Sequence, residues 1–343
     1  ILNDVNLFKA LTDTYKFLAF EEEPEITGKN EDAIAELVKS SNFIDVVLKR
    51  GFISGHAQSK GVFKVCLVDG KVKIKAINPE LVIPVYMPDD IDEIQGYVTY
   101  SDYEVPLGTS FMGKPKAEQR VLIEINTKGV LSTRLHKVVG GKIGDLIQEE
   151  TTIDYGSTLG WNDFLIFDFD FGRTAWQKFA RSQYQDIITI VRAIIKRLTG
   201  ADLVLDEHSA PQLIVTPESL ETDPITQTKV YRRGKALSTS QDGAKPEYLT
   251  WNGNLADAQA QIDRLMQMFY MVSGTNPQMY GIDIAGNLSG DALSKILMLP
   301  LAKTKEMLKA EKMAGEKALQ CALKLQGVDD APKIEFNVGI FNT

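Results

Sequence analysis

The last third of the chain constrains the fold most: two long apolar-periodic runs are joined by a Gly/Asn-rich connection, and one proline stands inside the second. Leu255, Ala258, Ile262, Leu265, Phe269 and Val272 recur at three- and four-residue steps, which makes one apolar face of an α-helix. Ser273-Gly274-Thr275-Asn276-Pro277 should end it, because Gly and the residue before Pro both disfavour helix. A second helix should start at Ser289, whose hydroxyl can cap free amides while Asp291 complements the positive end of the dipole. Its rhythm runs through Leu293, Ile296, Leu297, Leu301, Met307, Leu308 and Ala314 to Cys321 and Leu325. Pro300 interrupts that rhythm. It removes one backbone donor and presses on the Ile296 carbonyl, so a kink is expected there.

Composition bounds the rest. At 343 residues the chain exceeds the ~250–300 at which a single core usually splits, so more than one module is expected. Its 44% hydrophobic and 24% charged content are those of an ordinary folded protein. No apolar run approaches the ~18–20 residues of a membrane helix, and no signal-peptide pattern opens the chain. The chain begins at Ile1 and closes on the strand-like Ile334 to Thr343, and is expected to be the ordered core of a longer polypeptide. Cys66 and Cys321 stand far apart in apolar contexts and read as buried, reduced thiols. The net charge of −8 argues against a sequence-reading nucleic-acid protein, which carries a basic face. It does not exclude a surface past which DNA slides, where tight phosphate binding would act as a brake.

The first quarter reads as helical: Val5, Leu7, Phe8, Leu11, Tyr15 and Leu18 form one amphipathic segment, closed by Glu21-Glu22-Glu23-Pro24-Glu25. Ala33 to Val38 and Phe43 to Leu48 continue at helical spacing, and Gly51, Gly55 and Gly61 bracket a change of period. Phe63, Val65 and Leu67, then Asp69-Gly70, then Val72, Ile74 and Ala76 describe a hairpin. Strands follow at Leu81 to Tyr86, Gly96 to Tyr100, Val121 to Ile125 and Leu131 to Val139, giving a module of about 165 residues. From Arg173, a stripe from Trp176 to Leu198 predicts a helix roughly 37 Å long, started by Asp170 and Arg173 and ended by Thr199-Gly200. About fifty residues with short strands at Leu213 to Val215 and Lys229 to Tyr231 then form a cap between the two long helices.

The search for chemistry is mostly negative. Gly108-Thr109-Ser110-Phe111-Met112-Gly113-Lys114 fits seven positions of a P-loop, but Pro115 replaces the magnesium hydroxyl. A strand pattern also follows where the P-loop needs a helix. Asp168-Phe169-Asp170-Phe171-Gly172 lacks the companions of a kinase site. His56, His136 and His208 show no zinc spacing and read as surface or packed residues. Asp89-Asp90, Asp92-Glu93 and Glu21 to Glu23 read as solvated charge runs. No catalytic residue, metal or cofactor is expected.

The order of parts resembles the portal proteins of tailed bacteriophages, particularly long-tailed phages of Gram-positive hosts. The segment from Asn276-Pro277 through Asn287-Leu288-Ser289-Gly290-Asp291-Ala292-Leu293 to Leu299-Pro300-Leu301 carries the sharpest likeness. Asp186 to Ile195 after the apolar Phe164 to Phe169, the segments Ile77 to Tyr86 and Gln95 to Val98, and Ile334 to Phe336 with Asn342 match in order. The resemblance implies an α+β, portal-like fold: a wing (1–172), first stem helix (173–200), clip (201–254) and second stem helix (255–275). A tunnel loop (276–288), a kinked helix (289–327) and a strand returning to the wing (328–343) complete it, with the crown absent.

It further implies a ring of about twelve copies at one capsid vertex of the virion, assembled in the host cytoplasm. Double-stranded DNA would pass through the ring without sequence specificity. The packaging terminase and the head-completion adaptor would dock on the clip, and capsid and scaffold proteins would surround the rim. ATP hydrolysis belongs to the motor. The clip strands are expected to pair with the neighbouring chain, because one copy supplies few of them. Gln278, Met279, Tyr280, Ile282, Asp283 and Asn287 would form the DNA-facing loop, of which Asp283 is the only charged side chain. Pro300 would be its hinge, and Lys196 and Arg197 would face the channel near their helix's C-terminus. Periodicity alone leaves open whether both stem helices pack in a monomer or on neighbouring copies; the resemblance favours the ring. A monomeric α+β enzyme and a ring unconnected with DNA are the rival classes.

Overall fold

The computed structural model describes residues 6–68, 70–90, 92–109, 115–172, 180–209, 213–214, 220–230, 247–248, 255–282 and 290–338. The chain divides into two compact units, one of residues 6–187 and 270–338 and one of 188–269.

The larger unit opens with α1 (Leu7–Ala19), capped by Asn6, whose side chain accepts from the Lys9 amide. Then come β1 (Glu25–Thr27), α2 (Glu31–Ser41), a π-turn at Phe43–Leu48 and α3 (Lys49–Gln58). Strands β2 (Lys60–Val68) and β3 (Lys71–Ala76) form the expected hairpin, with Val68 opposite Lys71 and Gly70 at φ +76°. After a 3₁₀ turn come β4 (Val82–Tyr86), β5 (Ile94–Thr109), β6 (Pro115–Thr127), β7 (Val130–Val139) and β8 (Lys142–Asp154). These five make one antiparallel sheet in chain order. A short α4 (Tyr155–Leu159) leads to β9 (Ile166–Asp170), which pairs with β2 in a second sheet ordered β3-β2-β9. Gly108 and Thr109 of the P-loop-like segment end β5, residues 110–114 lie outside the described residues, and Pro115 begins β6. A strand follows the segment, as its alternation requires.

The smaller unit holds α5 (Ile188–Ser209) and the two-residue strands β10 (Leu213–Ile214), β11 (Glu221–Thr222), β12 (Lys229–Val230) and β13 (Glu247–Tyr248). It also contains α6 (Leu255–Ser273) as far as Phe269. In the larger unit, α7 (Gly290–Leu325) runs as one helix through Pro300, and β14 (Lys333–Glu335) pairs antiparallel with β1.

The core lies where α7 crosses β2, β3 and β9. It buries Leu11, Tyr15, Leu37, Phe43, Leu48, Phe52, Phe63 and Phe171 together with Ala318, Leu319, Ala322 and Leu323. The module read from residues 1–172 is thus completed by a helix more than a hundred residues later in the chain. Gly51 and Gly55, expected at a change of period, lie inside α3 instead. A Cβ on Gly51 would stand 2.6 Å from the Phe63 ring, and one on Gly55 would stand 2.8 Å from Phe171. Close approach of aromatic rings, not helix breaking, explains both glycines.

Two further expectations change. The helix predicted from Thr174 to Leu198 starts at Ile188 and continues through Gly200 to Ser209; residues 173–179 lie outside the described residues. Asp170 ends β9 rather than starting a helix. Side chains divert the backbone before Ile188: the Ser182 hydroxyl accepts from the Tyr184 amide and donates to the Ala57 carbonyl, while Ser59 donates to the Ala180 carbonyl. A lone glycine costs a helix only about 1 kcal/mol relative to Ala, too little to stop α5 at Gly200. The described short strands of the smaller unit pair within the chain, β10 with β13 and β11 with β12.

Candidate functional site at the turn between the long helices

Helix α6 ends as its sequence dictates. Gly274 takes φ +74°, and the Thr275 amide reaches back to the Tyr270 carbonyl. The carbonyls left without helical partners at this negative helix end are met by side chains from far away. Tyr15 on α1 donates to the Ser273 carbonyl at 2.8 Å, and Lys303 on α7 donates to the same oxygen at 3.1 Å. The Lys303 ammonium also lies 5.4 Å from the Tyr15 ring centre. A cation here is favoured by the dipole of α6. Burial nevertheless holds the Lys303 pKa below its ordinary value, with Asp186 and Glu306 opposing the shift.

Beyond Gly274, Asn276 performs two tasks. Its Oδ1 accepts from the Met279 amide at 3.2 Å and so caps a 3₁₀ turn at Pro277–Tyr280. Its Nδ2 donates to the Ile296 carbonyl on α7 at 3.2 Å. Gly281 closes the turn at φ +74°. Pro300 is buried, and its own carbonyl accepts from the fully buried Thr304 hydroxyl at 2.8 Å.

The sequence-derived site residues separate in this frame. Gln278 and Met279 sit half-buried on the 3₁₀ turn. Tyr280 is also half-buried, its ring 5.6 Å from Tyr270 and its hydroxyl 3.4 Å from Thr275 Oγ1; burial pushes its phenol up. Ile282 is exposed. Asp283 and Asn287 lie outside the described residues. Lys196 and Arg197 are exposed on α5, but the helix runs on to Ser209. They therefore stand mid-helix, out of reach of a terminal dipole effect.

Tyr15, Lys303 and the second role of Asn276 escaped the sequence reading. Only one sign of them was present: a helical proline leaves the carbonyl four residues earlier in need of a donor.

Behind the turn, Thr12 Oγ1 is hydrogen-bonded to His56 Nδ1 at 2.9 Å and to the Tyr184 hydroxyl. His56 is fully buried, with Nε2 unpartnered among the described residues, and burial together with the Lys303 charge pushes its pKa down to about 3. A neutral, enclosed imidazole with no opening to solvent is framework rather than catalyst. Glu311 on α7 is likewise fully buried, and its carboxyl oxygens have no hydrogen-bond partner among the described residues. Burial raises its pKa well above the carboxylate range, and the nearby Phe52 amide offsets only part of that. Among the described residues, no group of three or more His, Cys, Asp or Glu could hold a metal, and no helix is long and apolar enough to cross a membrane.

No protein-family model and no curated protein matches the chain. Solved structures do match its fold. A chain in the neck of an empty gene transfer agent particle, computed with C6 symmetry, aligns with TM-score 0.54 and 9% identity over 98% of this chain and 81% of its own. A chain in the neck of the native particle, computed with C12 symmetry, gives 0.51 and 10% over 96% and 79%. One in the native gene transfer agent virion gives 0.50 and 10% over 95% and 79%. The α+β architecture is thus shared with these virion and neck chains across nearly its whole length.

Proposed function

We propose that this chain is a portal-type subunit: a ring-forming component of the neck of a phage-like particle and a conduit for double-stranded DNA. The observation that carries this reading is the fold likeness to neck chains over 96–98% of this chain, in structures computed with C12 and C6 symmetry. Surface chemistry supports it. Leu203 and Leu205 on α5, Met268 and Met271 on α6, and Met298 and Leu299 on α7 are exposed apolar side chains on the three longest helices. Head-to-tail packing of unlike faces covers such surfaces and closes into a ring when the rotation fits.

On this reading residues 276–288 form the loop nearest DNA, with Ile282 as its described exposed apolar contact. The clasp of Asn276 on α7 joins that loop to the proline turn, and Pro300 serves as the hinge. Lys196 and Arg197 face the channel. Terminase and the head-completion adaptor engage residues 201–254, and capsid and scaffold proteins surround the larger unit. The chain itself catalyses no reaction.

Multi-angle light scattering with negative-stain imaging tests the reading. Particles of several hundred kilodaltons with a central hole are expected. A species at the monomer mass of 38.1 kDa under all conditions overturns it.

A further inference from the structure

On β3, Lys71, Lys73 and Lys75 alternate with Val72, Ile74 and Ala76. Ile74 is buried, so the lysines share the opposite, outward face, spaced about 6.6–6.8 Å apart by the pleat. None of the three makes an ion pair among the described residues. Leu67, near the tip of the same hairpin but opposite Val72 on its other face, is 71% exposed.

A surface of opposite character lies elsewhere on the same unit. Glu21, Glu22 and Glu23 are exposed in the turn after α1 and likewise form no ion pair among the described residues. The turn is held in place rather than free: Pro24 is buried, and Phe20 packs edge-on against Phe52 and Phe336. Just beyond it, Glu25 on β1 directly opposes Glu335 on β14. Like charges facing each other across an antiparallel ladder destabilise it, and neither carboxylate makes an ion pair among the described residues. Phe17, four residues before Glu21, is 68% exposed.

We propose that these two surfaces are the two halves of one contact between copies of this chain, the lysine hairpin of one docking on the glutamate shoulder of the next. Each half carries a row of charge of one sign that forms no ion pair among the described residues. In a chain of net charge −8, neighbouring copies repel unless basic surface is placed where they meet. Because the halves differ and lie on the same unit, the contact is heterologous, as ring closure requires. Exposed ion pairs are individually weak and screened by salt, but here three lysines act together at every joint. The inference rests on the ring reading above and specifies one of its joints.

Charge reversal tests it. The triple variant Lys71→Glu, Lys73→Glu, Lys75→Glu and the triple variant Glu21→Lys, Glu22→Lys, Glu23→Lys are each expected to keep native circular dichroism yet lose the ring by light scattering. An equimolar mixture of the two should assemble again, because both kinds of joint become complementary. A wild-type ring indifferent to both reversals overturns the pairing alone. So does failure of the mixture to assemble, since the rows would then meet something other than each other. Wild-type protein that stays monomeric at low ionic strength overturns the ring reading instead, and the pairing with it.

Discussion

Asn276 donates a side-chain hydrogen bond to the one carbonyl on α7, that of Ile296, which Pro300 leaves without its helical partner. In an unbroken helix the amide of residue 300 would bond to that oxygen; proline has none to offer. A residue at the end of α6 thus repairs a defect in α7, and the turn between the helices is fastened at the place where the second is weakest.

This fastening can be read by a double-mutant cycle. Asn276→Asp keeps the oxygen that caps Met279 but removes the donor, and should cost about 1–3 kcal/mol by leaving a part-buried carbonyl unpaired. In a Pro300→Ala background the helix supplies its own amide, so the same substitution should cost much less. Equal costs in both backgrounds by urea unfolding would show that the two residues act independently.

Gly274→Ala should also destabilise, by roughly 1–2 kcal/mol, because φ of +74° disfavours an L side chain. The added Cβ would lie 3.3 Å from the Tyr15 hydroxyl that braces the end of α6. Thermal melting measures this; an unchanged midpoint would mean that the turn tolerates another backbone conformation.

Two buried groups make stability depend on pH in opposite directions. The unfolded chain protonates His56 near pH 6.5, whereas the folded chain resists until about pH 3. Between those values the unfolded state binds more protons, so stability falls as pH falls, by up to about 1.4 kcal/mol per unit. Glu311 does the reverse. The folded state keeps a proton that the unfolded chain releases above about pH 4.5, so stability is lost as pH rises toward the raised folded pKa. Glu311→Gln should therefore match wild type near pH 4 and exceed it at pH 7 in denaturant titrations. Equal stability at both pH values would mean that the carboxyl ionises with solvent.

Lys196→Gln and Arg197→Gln should leave stability within about 0.5 kcal/mol of wild type, since both side chains are exposed. If they face DNA, retention of packaged DNA should fall and its salt dependence should weaken. Retention identical to wild type at low and high salt would remove them from the channel.

For Ile282→Asp, rings should form normally while packaged length or retention drops. Tyr280→Asp is expected to disturb folding as well, because Tyr280 is half-buried against Tyr270. Normal packaging by the Ile282 variant would separate this loop from DNA.

Local patterns gave a faithful account of local structure. The apolar steps from Leu255 to Val272 became α6, Gly274 ended it, and Asp69-Gly70 marked the hairpin of β2 and β3. What failed depended on distant partners. Tyr15 meets Ser273 across 258 residues, and nothing in either neighbourhood announces the other. Gly51 and Gly55 look like helix breakers until the rings of Phe63 and Phe171 are in place. The helix stripe was legible through Ile187, Val191 and Ile194, which are buried, but its start was not. That start was set by what Ser182 and Tyr184 bond to, and those bonds reach α1 and α3. For the site, the connection could be located in advance, whereas the side chains that hold it could not.

The path of α7 through the core also sets a timetable for synthesis. When the first 187 residues have left the ribosome, β2, β3 and β9 still lack the helix that covers them, and β1 lacks β14. Contacts so distant in sequence form slowly, and a nascent chain elongating at about 5–20 residues per second must hold exposed sheet in the meantime. The larger unit can close only after the whole of residues 188–269 has been made, so a truncated copy should emerge as a substrate for chaperones rather than as a competitor for a place among complete ones.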